Sequence, residues 1–179
     1  MVAFYSRDSW DSEQWVVPAE KERMLRDFEG WGDSVTNILS LMKTTDIWAL
    51  FKHPPCDAYF KGRACLLGDA AHASTPHMGA GAGMAIEDAY ILSSLLGEVE
   101  HASEIENAFR AYDLVRRPRT QRLVEGSSQQ GRLYDLELVG DDQVRIAKEL
   151  ATRVRWVWEH DFTRELDEAK RLLSLQAQL

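Results

Sequence analysis

One segment of the chain concentrates the residue types that can serve a bound cofactor: Gly62 to Ala89, GRACLLGDAAHASTPHMGAGAGMAIEDA. It holds a carboxylate directly after a glycine (Gly68-Asp69), two histidines (His72 and His77), Pro76, and the glycines Gly79, Gly81 and Gly83. A carboxylate at such a turn can accept hydrogen bonds from a sugar-like hydroxyl. The glycine-rich stretch runs into an amphipathic segment, so it reads as a helix start whose unpaired N–H groups and dipole favour phosphate oxygens or an electron-rich carbonyl. GAGAG by itself matches neither G-x-G-x-x-G nor the P-loop pattern, and a tight strand-to-helix turn without a ligand would have the same composition. No metal is expected. His72 and His77 lie five residues apart across Pro76, a spacing that belongs to no familiar ligand set. His72 is expected to pin the turn, and His77 is open between chemistry and loop packing.

These residues need elements to position them. Ala64 to Leu67 is a short uninterrupted apolar run, which predicts a strand covered on both faces in a parallel sheet. Gly68 and Asp69 would then stand at its carboxyl end, where ligands of open α/β sheets bind. Met84 to Leu96 predicts a helix packed through Ile86, Tyr90, Leu92 and Leu95. Glu87 and Asp88, early in that helix, are assigned to its dipole and to nearby arginines rather than to catalysis.

The order Gly68-Asp69-Ala70-Ala71-His72, Pro76, Gly79-Ala80-Gly81-Ala82-Gly83, Glu87-Asp88-Ala89 closely resembles the second FAD-binding motif of the single-component flavoprotein aromatic hydroxylases, and within them the salicylate hydroxylase-like monooxygenases. Gln14 to Pro18, Phe28 to Trp31, Trp48 to Phe51, Arg116 to Arg119 and Arg155 to Trp158 extend the resemblance over nearly the whole chain. It implies FAD as cofactor, NAD(P)H as co-substrate and an aromatic small molecule as substrate, hydroxylated with O2. By position it implies that Asp69 hydrogen-bonds the ribityl chain and that Gly68 lets the backbone turn beside it. Pro76 would lie over the flavin ring, and Ala82 and Gly83 would offer N–H groups to its pyrimidine edge, with Gly79 and Gly81 keeping the approach clear. His77 would stand near the substrate and help remove a phenolic proton. Met78 and Met84 replace the glutamines usual in these relatives. The G-x-G-x-x-G turn that binds the ADP half of FAD is absent from the sequence, so the chain resembles a C-terminal half. It is expected to hold FAD poorly alone, as a remnant without turnover or as one chain of a split enzyme partnered by an N-terminal half.

With 45% hydrophobic and 28% charged residues, the 179-residue chain has an ordinary globular composition. Its net charge of −8 argues against nucleic-acid and anionic-membrane partners. The absence of a long apolar run or leader pattern predicts a cytoplasmic protein. Cys56 and Cys65 are expected to be reduced.

Upstream, Val2 to Tyr5 and Gln14 to Val17 predict two antiparallel strands, Ala19 to Phe28 a helix ended by Gly30, the Val35, Ile38, Leu39, Met42 spacing a second helix, and Ile47 to Phe51 a third strand. Downstream, Ile105, Phe109 and Tyr112 mark a helix that Pro118 would kink or interrupt. The GSSQQG run from Gly126 to Gly131 hints at a loop, while the resemblance favours continued helix. Arg116, Arg117, Arg119 and Arg122 are expected to pair with Glu87, Asp88 or Asp113 rather than with phosphate. Trp156 and Trp158 are expected in helical packing. The fold class expected is α/β, the C-terminal part of an FAD-binding doubly wound fold with a remnant of a β-sheet substrate domain and C-terminal helices. Residues 1–55 would be the partial substrate domain and residues 56–179 the partial FAD domain.

Overall fold

The computed structural model describes residues 2–5, 7 and 9–176. The chain forms two compact units, Met1–Leu50 and Phe51–Leu179.

In the first unit, β1 (Val16–Pro18) pairs antiparallel with β2 (Asp46–Trp48), Val17 opposite Ile47. Between them lie α1 (Lys21–Asp27) and α2 (Asp33–Ser40). Met24, Phe28 and Leu39 form their buried core, with Leu25, Val35 and Met42 packed against it. Gly32, at φ 86°, takes the left-handed conformation that opens α2. The expected pairing of Val2–Tyr5 with Gln14–Val17 does not occur. Residues 2–5 form no strand, and Tyr5 packs its ring on Phe28 at 6.0 Å. The helical pair returns the chain so that residues 46–48 lie beside β1.

The second unit is mainly helical. β3 (Phe60–Lys61) and β4 (Ala64–Cys65) form a hairpin whose two-residue turn begins with Gly62 at φ 57°, as a type II′ turn requires. α3 (Asp69–His72), a 3₁₀ turn at Pro76–Met78 and α4 (Gly81–Leu96) follow. The spine is α5 (Ile105–Tyr134), succeeded by α6 (Gln143–Arg153), α7 (Arg155–Trp158) and α8 (Phe162–Gln176). Ile91, Leu92 and Leu95 of α4 meet Ala108, Tyr112 and Ala169 of α5 and α8 in the main core. The alanines let the helix axes approach closely. Tyr59 joins this core and donates its N–H to Asp113 Oδ1 at 2.8 Å.

Three local expectations are corrected here. The Ala64–Leu67 run pairs antiparallel with β3, and Leu66 and Leu67 remain 41% and 39% exposed, because the described residues supply no neighbouring parallel strand. α4 buries Met84, Asp88, Ile91, Leu92 and Leu95, leaving Ile86 and Tyr90 exposed. Its core face is therefore rotated away from the most apolar stripe, since Asp88 belongs to a buried ion cluster. Trp158 is 71% exposed, whereas Trp156 packs beside Met84 and Leu123 as expected. α5, by contrast, runs unbroken through both Pro118 and GSSQQG.

Candidate functional site

The Gly68-Asp69 turn is built by hydrogen bonds that close on themselves. Gly68, at φ 58° and ψ −143°, occupies a region that essentially only glycine enters, and its carbonyl accepts the N–H groups of Ala71 and His72, both at 2.9 Å. A Cβ at this position would stand 3.2 Å from Ala85 Cβ. The Gly68 N–H donates to Asp88 Oδ2 at 3.0 Å, and His72 Nε2 donates to the same oxygen at 2.5 Å. His72 thus pins the turn. Asp69, the first residue of α3, faces outward and is exposed.

The loop that follows rests on α5. Ser127 Oγ accepts the Met78 N–H at 3.2 Å and donates to the Thr75 carbonyl. Below this clamp two helical glycines make room for two side chains. A Cβ on Gly126 would lie 3.1 Å from Met78 Sδ, and one on Gly131 would lie 2.7 Å from His77 Cε1. His77 lies over Gly131 and beside Tyr134, with ring centroids 6.2 Å apart. Burial holds its pKa below the ordinary histidine value, while the nearby Asp135 charge opposes the shift. Gly79, at φ 62°, ends the 3₁₀ turn, and α4 begins two residues later. The first N–H of this segment to bond within the helix is that of Met84, to the Ala80 carbonyl at 3.0 Å. The N–H groups of Gly81, Ala82 and Gly83 therefore precede the helical ladder. A Cβ on Gly83 would meet nothing within 4 Å, and Pro76, Gly79, Ala82 and Gly83 are exposed.

A buried ion cluster lies beneath. Arg116 is fully buried and reaches Asp88 Oδ1 at 2.8 Å, both Glu165 oxygens at 3.0 Å and Glu87 Oε2 at 2.8 Å. Glu165 also accepts from His160 Nε2 at 2.7 Å. Arg119 forks onto Glu87, both contacts at 2.9 Å, and Arg117 pairs with Asp113. The expected carboxylate pairing holds for these three. Arg122 instead stacks on Trp156, its guanidinium 4.2 Å from a ring centroid. Burial opposes ionisation of Asp88, but hydrogen bonds from His72 and Arg116 and the Arg116 charge outweigh it and lower the pKa. Glu87 is lowered in the same way, chiefly by Arg119 and Arg116. Burial raises the Cys65 thiol to about 11, so it is no nucleophile; Cys56 and Cys65 are both free thiols. A cavity of about 380 Å³ opens between Met78, Gly126, Arg122, Arg153 and Trp156.

Asp69 and His77 thus rest on different supports, the first tied to α4 through Asp88 and the second seated on α5. The sequence reading missed Ser127, Gly126, Gly131, Glu165 and His160. The GSSQQG pattern carried a usable signal for the first three: small residues at helical spacing on a buried face. Among the described residues, no group of three or more His, Cys, Asp or Glu is gathered to hold a metal ion, and no helix is long and apolar enough to cross a membrane.

Residues 34–127, just over half of the chain, match the family described as FAD binding domain. The chain belongs to this FAD-binding domain family. It is 40% identical to a salicylate hydroxylase of Pseudomonas putida over 95% of its own length and 41% of the relative's. It is 38% identical to a 6-methylsalicylate 1-monooxygenase of Aspergillus terreus, covering 92% of this chain and 37% of that one. A solved salicylate hydroxylase substrate complex superposes with a TM-score of 0.83 at 39% identity, over 91% of this chain and 41% of that one. CtdE in complex with FAD and substrate 4, at 21% identity and a TM-score of 0.74, shares the fold. The chain therefore spans about two fifths of the length of the relatives it matches, and its architecture is the C-terminal part of an FAD-binding, doubly wound α/β fold of the salicylate hydroxylase type. The start of α4, with Ala82 and Gly83 exposed, open space beside Gly83 and amides that precede the helical ladder, has the chemistry to accept the electron-rich edge of a flat ligand such as a flavin.

Proposed function

We propose that this chain forms the flavin-facing wall of an FAD-dependent monooxygenase that hydroxylates a phenolic aromatic substrate with NAD(P)H and O2. The observation that carries this reading is the start of α4: the amides of Gly81, Ala82 and Gly83 precede the helical ladder, with Ala82 and Gly83 exposed, on the same helix that holds the Asp69 turn through Asp88. Asp69 would accept a hydrogen bond from a ribityl hydroxyl. The Ala82 and Gly83 N–H groups would donate to the electron-rich carbonyl edge of the isoalloxazine, where fixed donors stabilise negative charge without reorganising. Gly68 and Gly79 supply the left-handed backbone that brings Asp69 and the helix start into place, and Gly81 keeps that start free of side chains. Pro76 would shield the ring face from water. His77, kept neutral by burial, can accept a phenolic proton at a ring nitrogen. When bound, FAD supplies the redox chemistry. Residues 1–55 would belong to the substrate domain and residues 56–179 to the FAD domain. The names of the salicylate-acting relatives support a phenolic substrate.

The exposure of Leu66, Leu67 and Ile86 supports a second reading, in which a separate polypeptide with the ADP-binding half covers this face. Co-expression with such a half would then restore NAD(P)H oxidation, and continued inertness would remove it. The primary test is FAD titration of the purified chain, followed by its fluorescence and by the visible spectrum after gel filtration. Saturable but weak quenching at one site per chain is expected, with little flavin carried through gel filtration. No quenching by a folded protein at any FAD concentration would overturn the proposal.

A further inference from the structure

Both parts of the proposed cradle meet at one buried side chain that touches no ligand position. Asp88 lies about two turns into α4, whose first residues carry amides that precede the helical ladder. Its Oδ2 accepts the Gly68 N–H, and the Gly68 carbonyl starts α3, whose last residue His72 returns its side chain to that same oxygen. Its Oδ1 accepts Arg116 Nε, and Arg116 is clamped in turn by Glu165 of α8. Asp88 is completely buried, so this carboxylate is tolerated only because both oxygens are satisfied. We propose, resting on the flavin reading above, that Asp88 is a positioning residue, holding the Asp69 turn in register with the amides of Gly81–Gly83, and that α8 stiffens this register through Glu165 and Arg116.

The chemistry of an amide makes the proposal testable. A carboxylate accepts on both sides, whereas asparagine has one acceptor and places a donor on the other side. In Asp88→Asn, Arg116 is always charged and claims the single oxygen, so the NH2 group faces the Gly68 N–H and the hydrogen bond is lost. Amide hydrogen exchange of Gly68 in the full chain, read by NMR, is expected to accelerate at least about tenfold, and the affinity for added FAD to weaken by about the same factor. Leu95→Ala serves as control, since it removes a fully buried core side chain from the same helix. It should lower the melting temperature while leaving Gly68 exchange and FAD affinity unchanged. Asp88→Glu retains the charge but shifts the carboxylate by one methylene, and supplies the same readouts should the asparagine variant fail to fold. Wild-type Gly68 protection together with wild-type FAD affinity in a folded Asp88 variant would overturn the role of Asp88, as would equal effects in Leu95→Ala. Gly68 exchange that depends on Asp88 in a chain taking up no FAD would uphold the positioning of the turn and defeat the flavin reading alone.

Discussion

His77 is held at its position by an absence, the missing side chain of Gly131. Alanine there would bring a Cβ within 2.7 Å of the imidazole, closer than real Cβ contacts allow, so the ring must move. Gly126 is the internal comparison. Its Cβ would approach Met78 Sδ at 3.1 Å, and the flexible thioether can give way. Gly126→Ala is therefore expected to be neutral or to stabilise by up to about 1 kcal/mol through helix propensity. Gly131→Ala should displace His77 toward water and raise its pKa back toward the ordinary value, because the shift it loses is a burial effect. Titrating the His77 ring by NMR in both variants checks this; an unchanged His77 titration in Gly131→Ala would refute it. Because the folded pKa is lowered, the proton-accepting form of His77 already prevails just above that lowered value. A catalytic limb that depends on it should rise at lower pH in the parent than in Gly131→Ala.

At the scale of elements, the loop Thr75–Met78 owes its shape to one hydroxyl on α5. Ser127→Ala removes the acceptor of the buried Met78 N–H together with the donor to Thr75, at a cost of about 1–3 kcal/mol. Urea denaturation should show that loss; a midpoint unchanged from the parent would mean that the loop needs no clamp. The sequence disclosed such elements unevenly. Short-range signals were readable: Gly68-Asp69 as a turn, the glycine run as a helix start, and the spacings of α1, α2 and α5. Pairing choices were not, because strand partners are set by which segments the packing of the intervening helices places side by side. β1 takes Asp46–Trp48 rather than Val2–Tyr5, and β4 takes the adjacent Phe60–Lys61. The face of α4 was misjudged for a different reason. Hydrophobicity ranks Ile86 above Asp88, yet Asp88 is buried because Arg116, 28 residues along the chain in another helix, compensates its charge. The arginine pairs were legible because guanidinium forks suit carboxylates, but that reasoning could not single out Glu165.

The whole second unit is tied together by Arg116, which joins α4, α5 and α8 with no exposure of its own. Such a cluster contributes stability only while its carboxylates are ionised. Asp88 and Glu87 have folded pKa values below their ordinary ones, so the unfolded chain binds more protons as the pH falls through about 4. Their contribution is fully present above the unfolded pKa and is lost as the pH falls through the lowered folded values. Arg116→Gln would leave Asp88, Glu87 and Glu165 facing one another without the central charge, at a cost of about 3–5 kcal/mol at neutral pH. It would also remove much of what lowers Asp88, since the guanidinium supplies both a hydrogen bond and a charge. The variant's remaining stability should therefore depend less on pH between about 3 and 5 than the parent's. Urea midpoints measured across that range test this directly: convergence of the two curves toward acid is expected, and parallel curves would show that the cluster is not what couples stability to protonation.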